Sequence, residues 1–288
     1  MVLTTKFIPR SLKDKIKNSL FYAHVRINIF KKPIKIWFFR ELEFTNFGDE
    51  LTVDIIERIF NKKSELTSVD AADLYAVGSI IEVIDHKKNK MSYVWGSGFI
   101  HKGGSVANDN LVFKATRGYH SRRALPEKYQ HIAIGDPGLL SSLIYKDTGM
   151  PTDSIGIIPH YVDSDDEILD RAKNDKRYKI ISVRDTPDDV IKQLTSCKMI
   201  LSSSLHGLIV ADSFGIPNMH MPISDKLTGG DYKFKDYYSS IDREYNQFSK
   251  KNLYDELELK KVIDSYAPIV NLEDIQNTLI KSFPFKLM

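Results

Sequence analysis

The stretch Met199-Ile-Leu-Ser-Ser-Ser-Leu-His-Gly-Leu-Ile-Val-Ala-Asp-Ser-Phe-Gly-Ile-Pro-Asn218 decides the fold. Its apolar opening, Met199-Ile200-Leu201, suits the end of a buried strand. Ser202, Ser203 and Ser204 follow, and serine is a favoured helix N-cap because its hydroxyl accepts an unpaired backbone N–H. Leu205, Leu208, Ile209 and Asp212 then recur at helical spacing, with the apolar members on one face. Gly215 and Pro217 supply the stop. His206 thus falls in the first turn of a helix that starts at the carboxyl end of a strand. Free N–H groups and the helix dipole favour an anion there, and open α/β sheets bind ligands at that edge. The same residues also fit a plain capped turn with a polar first-turn histidine. The segment alone leaves the two readings level.

The alternation extends outward in both directions. Upstream, Ile34–Phe39, Leu74–Gly78, Met91–Gly98, Leu111–Ala115 and His131–Ile134 read as strands. Leu51, Ile55, Ile56 and Ile59 mark a helix, as do a short run with Arg122 and Arg123 and the run Leu139 to Tyr145. The linker candidate is Thr148 to Asp153, by its Gly and Pro. A second cycle follows, with strands at Ile155–Ile158, Tyr178–Val183, the opening stretch and Asn218–Met221, and a helix from Asp188 to Cys197. Leu272 to Ile280 is the clearest helix of the remainder. Strands alternating with helices predict parallel sheets with right-handed crossovers. Two such cycles predict an α/β fold of two Rossmann-like domains facing across a cleft, residues 1–150 and 151–288.

The chain has 288 residues, 42% hydrophobic and 27% charged, as a globular protein does. A net charge of +3 is too small to argue for nucleic acid. Cys197 is the single cysteine, which excludes an internal disulfide and fits burial in a reducing compartment. There is neither a bilayer-length apolar run nor a secretory leader, so a cytoplasmic location is expected. The first 35 residues are basic, with Leu12, Ile16, Leu20, Phe21 and Val25 as an apolar stripe. Such a segment either lies on anionic lipid, giving a peripheral membrane contact, or packs on the body with a solvated basic face. The second reading is favoured.

Polar residues gather at the expected strand ends: Asn46, Asp49, Ser97, Arg117, Asp136, His160, Arg184, Ser203, Ser204 and His206. Gly48 allows close approach of backbone to a ligand. Arginine suits carboxylate and phosphate, so the set suits a small anion carrying both. Lys233 and Lys235, after Thr228-Gly229-Gly230, sit on a stretch that either closes over a ligand or is a solvated loop. Asp163-Ser-Asp165-Asp166 has the look of a divalent-cation cluster, but it precedes a helix, where Asp is a normal cap. His160 and His220 have no partners at zinc spacing. No metal is therefore expected. A Gly-x-Ser-x-Gly elbow is missing, which disfavours a serine hydrolase.

Six motifs in order resemble the polysaccharide pyruvyl transferases: Asn46-Phe-Gly-Asp-Glu-Leu51, Gly96-Ser-Gly-Phe99, Thr116-Arg-Gly118, Gly135-Asp-Pro137, Ile158-Pro-His-Tyr-Val-Asp163 and Ser202 to Asp212. The match runs from about residue 34 to about residue 240. The resemblance implies a GT-B-like fold. It implies transfer of the enolpyruvyl group of phosphoenolpyruvate onto two hydroxyls of a sugar, in a surface polysaccharide or its lipid-linked precursor. Phosphate leaves, a cyclic ketal forms, and no cofactor is needed. The family's essential acid–base histidine falls on His206, and Arg117 matches a donor-binding position. Many members carry Arg two residues before the histidine. Here that position is Ser204, so Arg184, Lys233 or Lys235 is expected to substitute. Two other readings stand beside this one: a nucleotide-sugar glycosyltransferase on the same plan, which lacks a clear diphosphate loop, and a non-catalytic membrane-docking protein.

Overall fold

The computed structural model describes residues 32–40, 46–86 and 90–285. The basic N-terminal segment up to residue 31, with its whole apolar stripe, lies outside the described residues. Among those described, no helix is long and apolar enough to cross a membrane.

Among the described residues, ten short strands form two parallel sheets. The first runs β1 (Ile34–Ile36), β2 (Ser64–Leu66), β3 (Leu74–Tyr75), β4 (Ser92–Trp95), β5 (Leu111–Thr116) and β6 (Ala133–Ile134), in the spatial order β2-β1-β3-β4-β5-β6. The second holds β7 (Ile155–Ile158), β8 (Tyr178–Ile180), β9 (Met199–Ser202) and β10 (Asn218–His220), in the order β10-β9-β7-β8. All pairings are parallel. The central strands β7 and β9 are apolar along their length and fully buried, as parallel strands covered on both faces must be. The expected strands are all present; β7 has the expected bounds, β5 and β9 each run one residue further, and the others are shorter than their apolar runs. β2 escapes the sequence reading because it is a three-residue edge strand with two exposed positions.

The helices are α1 (Phe47–Phe60), α2 (Ile81–Asp85), α3 (Tyr119–Arg123), α4 (Ser141–Ile144), α5 (Glu167–Lys173), α6 (Pro187–Thr195), α7 (Leu205–Ser213), α8 (Tyr232–Ser240), α9 (Glu256–Ser265) and α10 (Leu272–Ser282). Asn46 caps α1 through Gly48 N–H, and Asp136 caps the 3₁₀ turn Pro137–Leu140 through Gly138 N–H. Asp166 caps α5, as the capping reading of the acidic cluster requires. Lys233 and Lys235 sit on α8, not on a loop.

Two expectations for the opening stretch are corrected. Ser204 occupies the N-cap of α7, but its hydroxyl makes no capping bond. Ser202 Oγ accepts Ser204 N–H instead. Nor is α7 one-faced: all nine of its residues are buried. It is enclosed by the second sheet, the 3₁₀ turn Pro137–Leu140 and helices α4 and α6. One continuous core joins Phe47, Leu51 and Ile55 of α1 to Val190 and Ile191 of α6 and to Leu208 and Ile209 of α7. The last helix, α10, returns to the first sheet. Its Leu279 carbonyl accepts Trp95 Nε1–H at 3.1 Å, and Phe283 stacks on Phe60 with centroids 3.7 Å apart. Cys197 is buried, as expected.

Candidate active site

A cavity of about 280 Å³ opens beyond the carboxyl ends of β1, β3, β4, β7 and β9. That size is at the small end for ligand pockets. Phe39 and Val83, 46% and 39% exposed, form an apolar lip. The buried polar groups behind it are Asp49, Ser204, His206 and Lys233, with Asn46 and His160 partly buried beside them.

His206 is brought there by the β9–α7 turn and by α1. A Cβ on Gly48 would lie 1.9 Å from His206 Nδ1, so the imidazole rests directly on the backbone of α1. The close approach that Gly48 allows is to this side chain. His206 Nε2 is buried and has no hydrogen-bond partner among the described residues. Burial, then the charges of Lys233 and Arg117, push its pKa down to about 3. The ring is therefore neutral at physiological pH. His160 is likewise held at about 3 by burial and by Lys233. Its backbone N–H donates to Ser203 Oγ at 2.8 Å, and Ser203 in turn donates to Asp163 at 2.6 Å.

Among the described residues, Lys233 is the only lysine or arginine lining this cavity. Its residue is 8% exposed, and among the described residues its ammonium has neither an ion pair nor a hydrogen bond. Burial, with Arg117 nearby, lowers its pKa to about 8, while Asp49 and Asp163 work the other way. Burial raises the Asp49 carboxyl to about 8, and Lys233 opposes that rise. A cation without a counter-ion beside two neutral imidazoles and a carboxyl near its titration point is an environment for an incoming anion.

Six of the expected site residues line this cavity: Asn46, Asp49, His160, Ser204, His206 and Lys233. The others lie elsewhere. Arg117 is fully buried at the end of β5. It donates to Asp236 Oδ2 at 2.9 Å, to the Phe99 carbonyl at 2.7 Å and to Ser79 Oγ. Ser97 Oγ donates to the Gly78 carbonyl at 2.7 Å. Asp136 is buried, and burial raises it to about 6 against the Gly138 hydrogen bond and the Arg117 charge. Arg184 is exposed beyond β8. Lys235 pairs with Asp231 at 2.7 Å on the solvent side of α8. Ser203 lines a neighbouring cavity. The sequence reading did not single out Ser79, Tyr161 or Thr228, which also line the site. The first two follow strand ends and were open to that signal; Thr228 comes in on a loop and was not. Among the described residues no cluster of His, Cys, Asp or Glu is arranged to hold a metal ion.

Fold and site define an α/β protein of two parallel sheets with a cavity at their carboxyl edges, lined by the buried Asp49, His206 and Lys233. Residues 113–225 match the model of the polysaccharide pyruvyl transferase family, so the family resemblance is shown over that segment. It holds the motifs Thr116–Gly118, Gly135–Pro137, Ile158–Asp163 and Ser202–Asp212. An uncharacterized protein of Acanthamoeba polyphaga mimivirus is 29% identical over 231 residues, covering 76% of this chain and 78% of its own. Among solved structures, a functionally uncharacterized protein of Klebsiella pneumoniae subsp. pneumoniae NTUH-K2044 aligns with a TM-score of 0.41 at 13% identity, over 78% of this chain and 92% of its own.

Proposed function

We propose that the protein transfers the enolpyruvyl group of phosphoenolpyruvate to two hydroxyls of one sugar in a polysaccharide or its lipid-linked precursor. The two sheets then correspond to the two lobes of a GT-B-like enzyme, with donor and acceptor meeting in the cavity between them. The observation that carries the reading is the uncompensated ammonium of Lys233 beside the unpartnered Nε2 of His206. An anionic three-carbon donor supplies the counter-charge that Lys233 lacks, and the first turn of α7 points its positive end into the same space. Lys233 takes the role expected of an arginine at the Ser204 position.

The neutral state of His206 sets the order of proton movements. A neutral imidazole cannot begin as an acid. It first takes the proton of one acceptor hydroxyl and then gives it to C3 of the enol phosphate as the hydroxyl oxygen bonds to C2. The imidazolium formed in between is stabilised by the bound donor's negative charge. The second hydroxyl then attacks C2, the C2–O bond to phosphate breaks, and phosphate leaves with the second proton. Arg117, spent on Asp236, Phe99 and Ser79, acts as a positioning residue. Through Asp236 it fixes the helix that carries Lys233 three residues earlier.

The test is incubation with phosphoenolpyruvate and a panel of simple and lipid-linked glycosides, read by phosphate release and by mass for the pyruvate ketal. His206→Ala is expected to abolish both while leaving the fold intact. A His206→Ala enzyme with full turnover removes the histidine from the mechanism. Absence of ketal from the wild-type reaction, with no binding of phosphoenolpyruvate, overturns the reading.

A further inference from the structure

Lys233 is an amine in an uncommon setting. It is almost wholly buried in the first turn of α8. Its Nζ, without ion pair or hydrogen bond among the described residues, lies 5.5 Å from the centroid of the Phe234 ring. Nor is it one of the fully enclosed unpartnered polar atoms, so it keeps a face open to the cavity that it lines with Asp49 and Ser204. The groups that act on its charge come from several elements: Arg117 at the end of β5, Asp49 on α1, Asp163 in the turn Tyr161–Asp163, and the imidazoles of His160, His206 and His220. Burial and then Arg117 favour the neutral amine, while Asp49 and Asp163 favour the ammonium. The balance lowers its pKa from 10.5 to about 8. At pH 7 about a tenth of the molecules then carry a free amine there, several hundredfold more than at an ordinary lysine.

A desolvated amine of this kind is a nucleophile toward a carbonyl carbon, and its surroundings select the carbonyl. The ammonium majority and the positive end of α7 draw in an anion. The Ser204 hydroxyl makes no capping bond. Asn46 uses its amide oxygen on Gly48 N–H. Both therefore have donors left for a carboxylate. The cavity, of about 280 Å³, suits a small molecule. A short 2-oxo acid meets each condition: its carboxylate answers the positive charge, and its ketone presents C2 to Nζ. An uncharged aldehyde gains no such hold. We propose that Lys233 condenses reversibly with pyruvate and similar short 2-oxo acids to form an imine in this cavity.

The step balances within the site. The lone pair of Nζ bonds to C2, and the carbonyl oxygen takes the proton of the Asp49 carboxyl, which is in its neutral form below about 8. Nζ returns a proton to Asp49. Asp49 then protonates the C2 hydroxyl, the C2–O bond breaks, and one water leaves. The product is a protonated imine beside an Asp49 carboxylate, and no oxidant or reductant is consumed. The adduct fills the space proposed for the donor, so pyruvate competes with phosphoenolpyruvate. That competition rests on the transferase reading above; the imine itself rests on the cavity alone.

The experiment incubates the full chain with pyruvate and cyanoborohydride, which reduces an imine to a stable carboxyethyl amine, and reads the digested peptides by mass. Lys235 is the internal standard, since it lies on the same helix with its side chain 48% exposed. Carboxyethylation at Lys233 is expected to be at least about tenfold faster than at Lys235. In urea, or with glycolaldehyde in place of pyruvate, that preference is expected to vanish. Equal rates at the two lysines, no adduct at Lys233, or the same preference with glycolaldehyde overturns the inference. Phosphoenolpyruvate is expected to slow the Lys233 reaction several-fold and to leave Lys235 alone. Thermal stabilisation by phosphoenolpyruvate is measured alongside. Stabilisation without a Lys233 adduct sinks the imine alone. A Lys233 adduct that phosphoenolpyruvate does not slow sinks the donor assignment and leaves the imine standing.

Discussion

At the scale of single residues, the site depends on one contact that only glycine allows. The imidazole of His206 occupies the space that a side chain on Gly48 would fill. Gly48→Ala therefore has to displace the ring or shift α1. Overpacking of this kind costs about 1–3 kcal/mol, partly offset by about 1 kcal/mol from alanine's better helix propensity. Urea unfolding is expected to show a small net loss, while ketal formation falls at least as far as the loss of a general base, roughly a hundredfold. Equal activity in Gly48→Ala and wild type would mean that the ring position does not matter. Lys233 gives a second prediction. Its charged form is the one present below its pKa of about 8, and Asp49 becomes negative above about 8. The two groups titrate as a pair, and both changes remove positive charge from the cavity as pH rises. KM for phosphoenolpyruvate should therefore be flat from pH 6 to 7.5 and climb above pH 8. Lys233→Met should raise KM at pH 7 by about tenfold to a hundredfold, the worth of a charge-assisted hydrogen bond, and should flatten the climb. A KM independent of pH up to 9.5 would remove Lys233 from donor binding.

At the scale of elements, α8 is tied to the first sheet by a buried ion pair that also explains a glycine. Arg117 and Asp236 are both fully buried, and Asp236 also accepts from Ser121 N–H and Oγ at the start of α3. A Cβ on Gly118 would lie 1.8 Å from the Asp236 carbonyl oxygen, so helix and strand end meet backbone to backbone. Asp236→Ala leaves a guanidinium buried without its counter-ion and is expected to cost about 3–5 kcal/mol in chemical denaturation; a loss below 1 kcal/mol would show that Arg117 reaches water. Thr116-Arg-Gly118 was legible as a motif, but its meaning was not, because Asp236 lies 119 residues further along. The same limit applies to Asp212. By spacing it falls on the same helical face as Leu205, Leu208 and Ile209, where a charge needs partners that the segment itself does not show. In the fold it is fully buried, accepting from Asn218, Tyr237, Arg243 and Tyr266. Local periodicity reports which residues are apolar and so recovers the strands and α1, α6 and α10. It carries no record of which distant donors arrive to pay for a buried charge. The cavity residues at strand ends were legible for a topological reason, since parallel strands deliver their carboxyl ends to one edge. Thr228 reaches that edge on a loop, and no period announces it.

At the scale of the whole molecule, the buried titratable groups give stability a maximum in pH. His160, His206 and His220 are all held near 3 from an ordinary 6.5. Their folded pKa is depressed, so the unfolded chain binds more protons between pH 3 and 6.5. Their contribution is complete above 6.5 and is lost as pH falls through that window. Asp49 and Asp136 act in the opposite sense, being raised from 3.8 to about 8 and about 6. Their contribution is complete below 3.8 and is lost as pH rises, through about 6 for Asp136 and through about 8 for Asp49. Between pH 4 and 6 the three histidines outweigh the two carboxyls by one proton, so stability rises with pH. From 6.5 to 8 the histidines are spent and Asp49 alone acts, so stability falls, by at most about 1.4 kcal/mol per pH unit. Lys233, lowered from 10.5 to about 8, reverses the trend only above pH 8. Urea midpoints measured from pH 4.5 to 8 should therefore peak near 6.5. Asp49→Asn should flatten the decline between 6.5 and 8 and leave the acid limb in place, because a neutral amide removes the one group that titrates in that window. A wild-type curve that is flat from pH 6.5 to 8, or a decline that survives Asp49→Asn, would show that the Asp49 carboxyl is not held neutral in the folded protein.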